Sequence, residues 1–183
     1  YCDYPESISA LPVVQSGAET NIEEILALDP QVVLMSDMSQ TEEQAKLLEQ
    51  NGVQVVISDA NDIAGVYTAI RMIGALMAKD DAAEALIGDM QATFDEIAAK
   101  SEKSGKTIYF EVSPLQWGLW TAGSGTFMDE LATMCGVTNA FADISGWQSV
   151  SEEQVIERSP DYIVSIAGMG DTAVEEIMGR DGW

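Results

Sequence analysis

Helix-like and strand-like patterns of apolar residues alternate along the first third of the chain. Residues 21–28 have helical spacing and precede a short apolar run at 31–35. The same order recurs with a helix at 41–52 and an apolar run at 53–58. Short apolar runs bounded by turn residues are typical of strands buried on both faces. Because a helix connects the two runs, we expect parallel neighbouring strands in a sheet covered by helices.

The middle of the chain predicts helices only. From Asn61 to about Lys103 the apolar residues recur with helical spacing, and the polar run 79–81 indicates a break between two helices. The second helix, within residues 80–103, is rich in good helix formers and would span more than about 30 Å. It is therefore long enough to join two lobes.

Strand and helix patterns alternate again after this segment, with strand candidates at 107–112 and 162–166. Helices are expected at about 126–135, at 151–158 and from about Thr172. The whole pattern predicts an α/β protein with two small Rossmann-like lobes, each with a parallel sheet, joined by a long helix. The expected divisions are an N-terminal lobe at 1–60, a helical segment with the inter-lobe helix at 61–105, and a C-terminal lobe at 106–183.

Composition and charge exclude several classes of function. Eight Lys and Arg against 31 Asp and Glu give a net charge of −23, which repels nucleic acid and anionic membrane surfaces. The chain has no histidine, which removes histidine zinc ligands and histidine general bases. Cys2 and Cys135 are far apart and neither lies in a C-x-x-C motif. We therefore expect no metal site and no nucleic-acid partner. Since spacing also pairs none of the candidate carboxylates, we expect no catalytic residues.

Five aromatic residues lie on predicted loops rather than on apolar stripes. They are Tyr1, Tyr4, Trp117, Trp120 and Trp147. Loops of an open α/β sheet gather beyond the carboxyl ends of the strands, where ligands bind. Each ring alone is more often a packing residue, but five on the loops of two lobes favour a site for a large, partly flat ligand. An adhesion or scaffold lobe without a small ligand would be favoured if these rings proved buried.

One segment supports a different hypothesis, a small α/β enzyme. The turn TAGSGTF at 121–127 places Gly123, Ser124 and Gly125 at a predicted helix start, where backbone amides could hold a nucleotide or phosphate ester. The turn lacks the lysine of a P-loop and does not directly follow a strand, and most such matches are simple turns.

Several stretches resemble, in the same order, the substrate-binding proteins of ABC importers. The resemblance is to the helical-backbone class, which captures cobalamin, ferric siderophores and haem outside the cytoplasmic membrane. It implies a transport protein rather than an enzyme, in the periplasm or as a cell-surface lipoprotein, that has no cofactor and delivers its ligand to an ABC permease. Besides the long helix, the matching stretches are YCDYP (1–5), NIEEILALDPQVVL (21–34), MCGVTNAFAD (134–143), VSEEQVIERSPDYIV (150–164) and RDGW (180–183).

The resemblance also implies roles for individual residues. Tyr1, which opens the Y-x-D-Y-P motif, together with Trp120 and Trp147, matches aromatic residues that contact the ligand. Glu23 and Glu153 match the two glutamates, one on each lobe, that dock on arginines of the permease. Each of these glutamates falls in the first turn of a predicted helix, where the helix dipole favours negative charge.

The sequence also orders the ligand classes. Two tryptophans that stack on the ligand in a cobalamin-binding member correspond by spacing to Gly17 and Ser36, so the first-lobe half of that aromatic clamp is absent. Ferric catecholates are multiply anionic and require Arg or Lys, yet none of the eight basic residues lies on a predicted cleft loop. A corrinoid is therefore expected first and a ferric hydroxamate siderophore next.

The ends of the chain differ from the family pattern. Family members have a strand–helix unit before YCDYP and further elements after RDGW, which implies that this chain is a truncated central fragment. In the family the cysteine that corresponds to Cys135 can pair with one in the C-terminal region, and here both Cys2 and Cys135 are expected to be free. A truncated chain would expose strand edges and apolar surface, so self-association with little ligand affinity is a further expectation.

Overall fold

The computed structural model describes residues 5–14, 20–37, 41–168 and 170–183. The chain forms two compact units, Tyr1–Asp59 and Ala60–Trp183. Among the described residues, no helix combines the length and the apolar character needed to cross a bilayer. The helices are α1 (Ile22–Ala27), α2 (Thr41–Gln50), α3 (Ile63–Leu76), α4 (Asp80–Lys100), α5 (Phe127–Met134), α6 (Glu152–Arg158) and α7 (Ala173–Met178). The strands are β1 (Val32–Ser36), β2 (Gln54–Ser58), β3 (Thr107–Glu111), β4 (Trp120–Ala122), β5 (Thr138–Asn139), β6 (Trp147–Ser149) and β7 (Tyr162–Ser165).

The first unit is built on a parallel pair of strands. β1 pairs with β2 in parallel, with Val32 opposite Gln54. α2 connects the two strands and buries Ala45 and Leu48. The turn after α2 passes through Gly52, whose φ of 84° lies in the left-handed region that glycine adopts without strain. The predicted helix–strand alternation and the parallel pairing are confirmed.

Two helices open the second unit and are separated at the predicted break. α3 ends at Leu76 and α4 begins at Asp80. They contact closely, because a Cβ built on Gly74 would lie only 2.6 Å from the Cβ of Ala83. An exposed ion pair between Arg71 and Glu84 also joins the two helices.

The sheet of the second unit has the strand order β5-β3-β7, and both pairings are parallel. The central strand β3 buries three consecutive residues, Tyr109, Phe110 and Glu111. Two buried apolar clusters form around it, one with Tyr109, Leu119, Phe141 and Val155, the other with Phe110, Ala122, Met128 and Ala132. The two units therefore hold separate parallel sheets, and the predicted α/β fold is confirmed.

A small antiparallel ribbon of β4 and β6 was not predicted from the sequence, and neither was the two-residue strand β5. Trp120 and Trp147 are the first residues of β4 and β6, so their assignment to loops is wrong. Trp117 lies outside the strands, at the end of a 3-10 turn that begins at Leu115. Strands of three residues are too short to show the two-residue alternation by which a strand is recognised in a sequence.

Candidate functional site

The ribbon presents two tryptophans on one face. Trp120 lies opposite Ser149, and Ala122 lies opposite Trp147. Because side chains alternate between the faces of a strand, Trp120 and Trp147 lie diagonally on the same face, at positions about 7–8 Å apart. Trp120 is 43% exposed and Trp147 is half-buried. Both indole rings therefore keep accessible apolar surface.

The ribbon extends directly from the carboxyl end of the central strand. β3 ends at Glu111, and the next amide, that of Val112, donates to the Trp120 carbonyl at 3.0 Å. The carboxyl end of a parallel sheet is the usual position of a ligand site in this class of fold. The ribbon therefore lies where the sequence analysis expected a site.

Trp117 is the most exposed ring of the group, with 75% of its surface accessible. It is followed by Gly118, whose φ of 86° turns the chain back towards Trp120. The condition that would have favoured a scaffold without a small ligand, burial of the loop aromatics, is not met at Trp117 or Trp120. Tyr1 and Tyr4 lie outside the described residues.

Trp147 is held on two sides. Its Nε1–H donates to Oδ1 of Asn61 at 3.2 Å. Its ring packs at an angle of 59° against the ring of Phe127, with 5.6 Å between the centroids. The Phe127 amide in turn donates to the Asn61 carbonyl at 2.7 Å. The sequence did not indicate a role for Asn61, because this residue lies 86 positions before Trp147 along the chain.

A buried ion pair lies at the end of β3, next to the ribbon. The Arg180 guanidinium donates to both carboxylate oxygens of Glu111 at 2.7 and 2.9 Å, and it also bonds Glu176. The guanidinium lies 4.6 Å from the ring centroid of Trp183. Close by, burial raises the pKa of the Tyr109 hydroxyl, and the Glu111 charge adds to this effect. The pair joins β3 to the RDGW segment, which the sequence analysis noted only as a motif.

The two candidate docking glutamates lie at helix starts as expected. Glu23 is exposed in the first turn of α1, where Asn21 caps the helix by accepting from the amide of Glu24. Glu153 is exposed in the first turn of α6, where Ser151 and Gln154 form a reciprocal capping box. Both carboxylates are therefore accessible to a basic partner.

Glu152 and Glu153 are adjacent but differ in their surroundings. Oε2 of Glu152 accepts from Nε1–H of Trp183 at 3.1 Å, which ties the start of α6 to the end of the chain. Glu153 instead points to solvent, and its pKa lies below the ordinary value because its own backbone amide and the Ser151 hydroxyl stabilise the ionised form. Glu152 is thus a structural residue, while Glu153 carries a permanent surface charge at neutral pH.

The turn at 121–127 uses two of its amides in bonds to a neighbouring segment. The amides of Gly123 and Ser124 donate to the carbonyls of Gly146 and Ile144 at 2.8 and 2.7 Å. A Cβ on Gly123 would lie 2.3 Å from the Ile144 carbonyl oxygen, so close backbone approach explains this glycine. Thr126 caps α5 by accepting from the amide of Asp129. Two of the three amides proposed to hold a phosphate are therefore used within the fold, so the turn gives the nucleotide-binding hypothesis no support.

Potential metal ligands, the cysteines and the basic residues complete the description of the reactive and charged groups. No cluster of three or more potential metal ligands occurs in the part of the chain that the structure describes. Cys135 is a free, exposed thiol at the end of α5, whereas Cys2 lies outside the described residues. Six of the eight basic residues form ion pairs with carboxylates, namely Lys46, Arg71, Lys100, Lys106, Arg158 and Arg180.

One family model and several known proteins match nearly the whole chain. The family model described as periplasmic binding protein matches residues 2–183. The chain is 32% identical over 187 residues to the "Uncharacterized ABC transporter substrate-binding lipoprotein YvrC" of Bacillus subtilis (strain 168), which covers 98% of this chain and 58% of that protein. It is 30% identical over 176 residues to the "Vitamin B12-binding protein" of Salmonella choleraesuis (strain SC-B67), with 93% of this chain and 64% of that protein covered. The chain thus spans about three fifths of the length of these relatives.

A solved structure shares the fold. The apo form of the "Periplasmic heme-binding protein RhuT" from Roseiflexus sp. RS-1 matches with a TM-score of 0.81 at 22% identity, over 97% of this chain and 70% of that one. At this identity the match concerns the fold alone, and it agrees with the two-lobe α/β class expected from the sequence.

Proposed function

The chain belongs to the periplasmic binding protein family, and from this premise we propose that it captures a corrinoid or a ferric siderophore and delivers it to the permease of an ABC importer. Members of this family bind transport substrates outside the cytoplasmic membrane, and we assign this chain the same extracytoplasmic location. Anchoring as a lipoprotein, as in the Bacillus subtilis relative, is part of the proposal.

The relatives are substrate-binding proteins and not enzymes, which confirms the prediction that this protein has no catalytic role. The nucleotide-binding alternative has no support from them. The bound molecule is therefore a cargo ligand rather than a cofactor.

The observation that carries the ligand proposal is the shared face of Trp120 and Trp147. Two rings on one face of a ribbon, with exposed Trp117 on the preceding turn, suit a large ligand with flat apolar surfaces. A corrinoid ring or the periphery of a siderophore chelate has such surfaces. Tyr1, which the family resemblance implies as a ligand contact, and Tyr4, which the loop pattern favours, are proposed as further ligand-binding residues.

The distribution of positive charge favours a neutral or weakly charged ligand. A multiply anionic catecholate chelate needs cations that are free to offset its charge once it leaves water. Most of the basic residues are neutralised by carboxylates of the chain itself, as at Arg158, which bonds Asp143 in bidentate fashion and keeps the Asp143 pKa below its usual value. We therefore rank a corrinoid first, a ferric hydroxamate siderophore second and a ferric catecholate last.

Delivery to a permease is proposed to use Glu23 and Glu153. Both are exposed at helix starts, and the low pKa of Glu153 keeps this carboxylate charged. Ionised carboxylates can bind arginine side chains through two parallel hydrogen bonds, which fixes orientation as well as affinity. The cargo and docking proposals involve different residues and can be tested separately.

Tryptophan fluorescence titration tests the cargo proposal. The probes are cyanocobalamin, haem, a ferric hydroxamate and a ferric catecholate siderophore. We expect binding of cyanocobalamin or the hydroxamate, and we expect Trp120→Ala and Trp147→Ala each to weaken it by about 1–3 kcal/mol, the worth of a desolvated aromatic contact. The control is Gln148→Ala, because Gln148 lies between Trp147 and Ser149 on the opposite face of the ribbon. Unchanged affinity in both tryptophan variants would contradict the assignment of the rings to the ligand site.

A further inference from the structure

Asn61 is the second residue of the second unit and contacts the candidate site at two points. Its side-chain oxygen accepts from the Trp147 indole at 3.2 Å, and its carbonyl accepts from the Phe127 amide at 2.7 Å. We propose that Asn61 is a positioning residue that fixes the Trp147 ring for ligand binding. This inference rests on the proposed function, because it assigns Asn61 a role in that same site.

The segment that holds Asn61 is itself fixed. The Ile63 amide, two residues on, donates to Oε2 of Glu130 at 2.8 Å. Asp62, between them, caps α3 by accepting from the Gly65 amide at 2.6 Å. Contacts to α5 and the start of α3 therefore hold the backbone at and just after Asn61, from which its side chain reaches the Trp147 indole.

The consequence for Trp147 is a ring with a defined orientation. Packing against Phe127 restricts the ring plane, and the bond to Asn61 restricts rotation within that packing, since the indole has one N–H to donate. The ring is half-buried, which leaves part of it accessible beside Trp120. A contact residue already held in place loses less conformational entropy when a ligand binds.

Asn61 differs from the residues that touch the ligand in this proposal. It acts through Trp147, so its loss should change ligand affinity only to the extent that it releases the indole. A size-matched side chain without an acceptor, as in Asn61→Leu, removes the bond. Asn61→Asp retains an oxygen acceptor at the same position and should rescue the function.

Indole signals in proton–nitrogen correlation NMR spectra test the bond without any ligand. The chain has four tryptophans, and Trp147→Phe identifies the Trp147 indole signal by its disappearance. In Asn61→Leu and Asn61→Ala we expect this signal to move upfield, towards the position of an indole that is bonded only to water. In Asn61→Asp it should stay downfield, and in Gln148→Ala, which removes a neighbouring side-chain bond to Ser145, it should not move.

Titration of the same proteins with cyanocobalamin, haem and a ferric hydroxamate siderophore tests the positioning role. For the probe that the unaltered protein binds, we expect the Leu and Ala variants to lose about three- to tenfold in affinity, as for one orienting hydrogen bond. The Asp variant and the Gln148→Ala control should keep the original affinity, and all variants should keep their melting temperature within a few degrees because the Asn61 side chain is exposed.

The outcomes separate this inference from the proposed function. An unmoved Trp147 signal in Asn61→Leu, or a moved signal with unchanged ligand affinity, overturns the role of Asn61 and leaves the proposed function intact. Loss of affinity in Asn61→Asp equal to that in Asn61→Leu also overturns it. If the unaltered protein binds neither cyanocobalamin nor the hydroxamate, the proposed ligand ranking fails; if it binds none of the three probes, the positioning role fails as well.

Discussion

Arg180 and Glu111 bring two full charges into the interior of the second unit. Their side chains are 3% and 0% exposed, and two hydrogen bonds join them. Such a pair contributes little net stability over apolar residues of similar size, but removal of one partner leaves a buried charge without compensation. The pair therefore joins the RDGW segment to the end of β3, and this contact is stable only when both partners are present.

We expect Arg180→Met to lower the free energy of unfolding by about 3–5 kcal/mol, because the Glu111 carboxylate would remain buried without its partner. Urea denaturation measures this change. Arg71→Met is the matched control, since Arg71 makes a similar bidentate bond to Glu84 at the surface, where solvent screens the charges and the loss of stability should be much smaller. Equal losses in the two variants would contradict the distinction between buried and exposed pairs.

The Ser151 hydroxyl both caps α6 and stabilises the ionised Glu153 carboxylate. Its side chain accepts from the Gln154 amide, so Ser151→Ala should destabilise the start of α6 by about 1 kcal/mol. The same hydroxyl is one of the two groups that lower the Glu153 pKa, and its loss should move that pKa up towards the ordinary value of 4.5. NMR titration of the Glu153 carboxyl measures the shift, and Ser151→Thr should restore the low value.

The sign of the pH dependence follows from the direction of that shift. The folded-state pKa of Glu153 is lower than the unfolded value, so the ionised carboxylate stabilises the fold above the unfolded pKa. This contribution is lost as the pH falls through the folded-state pKa. In Ser151→Ala the folded-state pKa lies closer to the unfolded value, so this contribution should be smaller and its loss should be complete at a higher pH.

At the scale of elements, the close contact between α3 and α4 requires glycine, which has no side chain, at position 74. Gly74→Ala places a Cβ at 2.6 Å from that of Ala83, so the helices must separate, and we expect a loss of about 1–3 kcal/mol. Gly88→Ala, in the interior of α4, meets nothing within 4 Å and should instead stabilise the fold by about 0.5–1 kcal/mol. Thermal unfolding monitored by circular dichroism distinguishes the two signs, and a stabilising Gly74→Ala would show that the helices do not meet here.

Elements with a full period of hydrophobic pattern were predictable from the sequence. The parallel pair β1–β2, the break after α3 and the long α4 all follow from runs of five or more residues with consistent spacing. β5, with two residues, and the β4–β6 ribbon, with three in each strand, were not predictable. Backbone bonds to distant segments create these short strands, and no local pattern records such bonds.

The candidate site was predictable only in part, because contacts between distant positions bring its residues together. Trp120 and Trp147 were identified by their chemistry and the family resemblance, but their common face follows only from the register of the ribbon. Asn61 and the Glu111–Arg180 pair were not found, because each contact joins residues more than sixty positions apart. The ligand-binding roles of Tyr1, Tyr4, Trp117, Trp120 and Trp147 and the docking roles of Glu23 and Glu153 all remain predictions.

At the scale of the whole molecule, the net charge of −23 determines which charged partners are attracted and which are repelled. A strongly acidic protein is steered towards a basic surface, and the association rate falls as salt screens the field. Surface glutamates that bind permease arginines would thus gain from the surrounding charge as well as from their own contacts.

Charge reversal at Glu23 and Glu153 tests the docking proposal. We expect the double variant to bind ligand nearly as before and to fail to stimulate ATP hydrolysis by its reconstituted ABC transporter, because lysine would face permease arginines. Glu24→Lys with Glu157→Lys is the control, since both residues are exposed on the same two helices and give the same change in net charge. Loss of ligand binding in the double variant would place these glutamates in the pocket instead.

The thiol of Cys135 gives the second unit a chemical handle on the helix whose first residue contacts Trp147. It is free and exposed at one end of α5, and the helix begins at Phe127, whose ring touches Trp147. In a Cys2→Ser background, a thiol-reactive dye would attach at this one position, about 12 Å along the helix from Phe127. A change in the dye emission would then report the arrival and release of cargo in real time, with no label on the cargo itself.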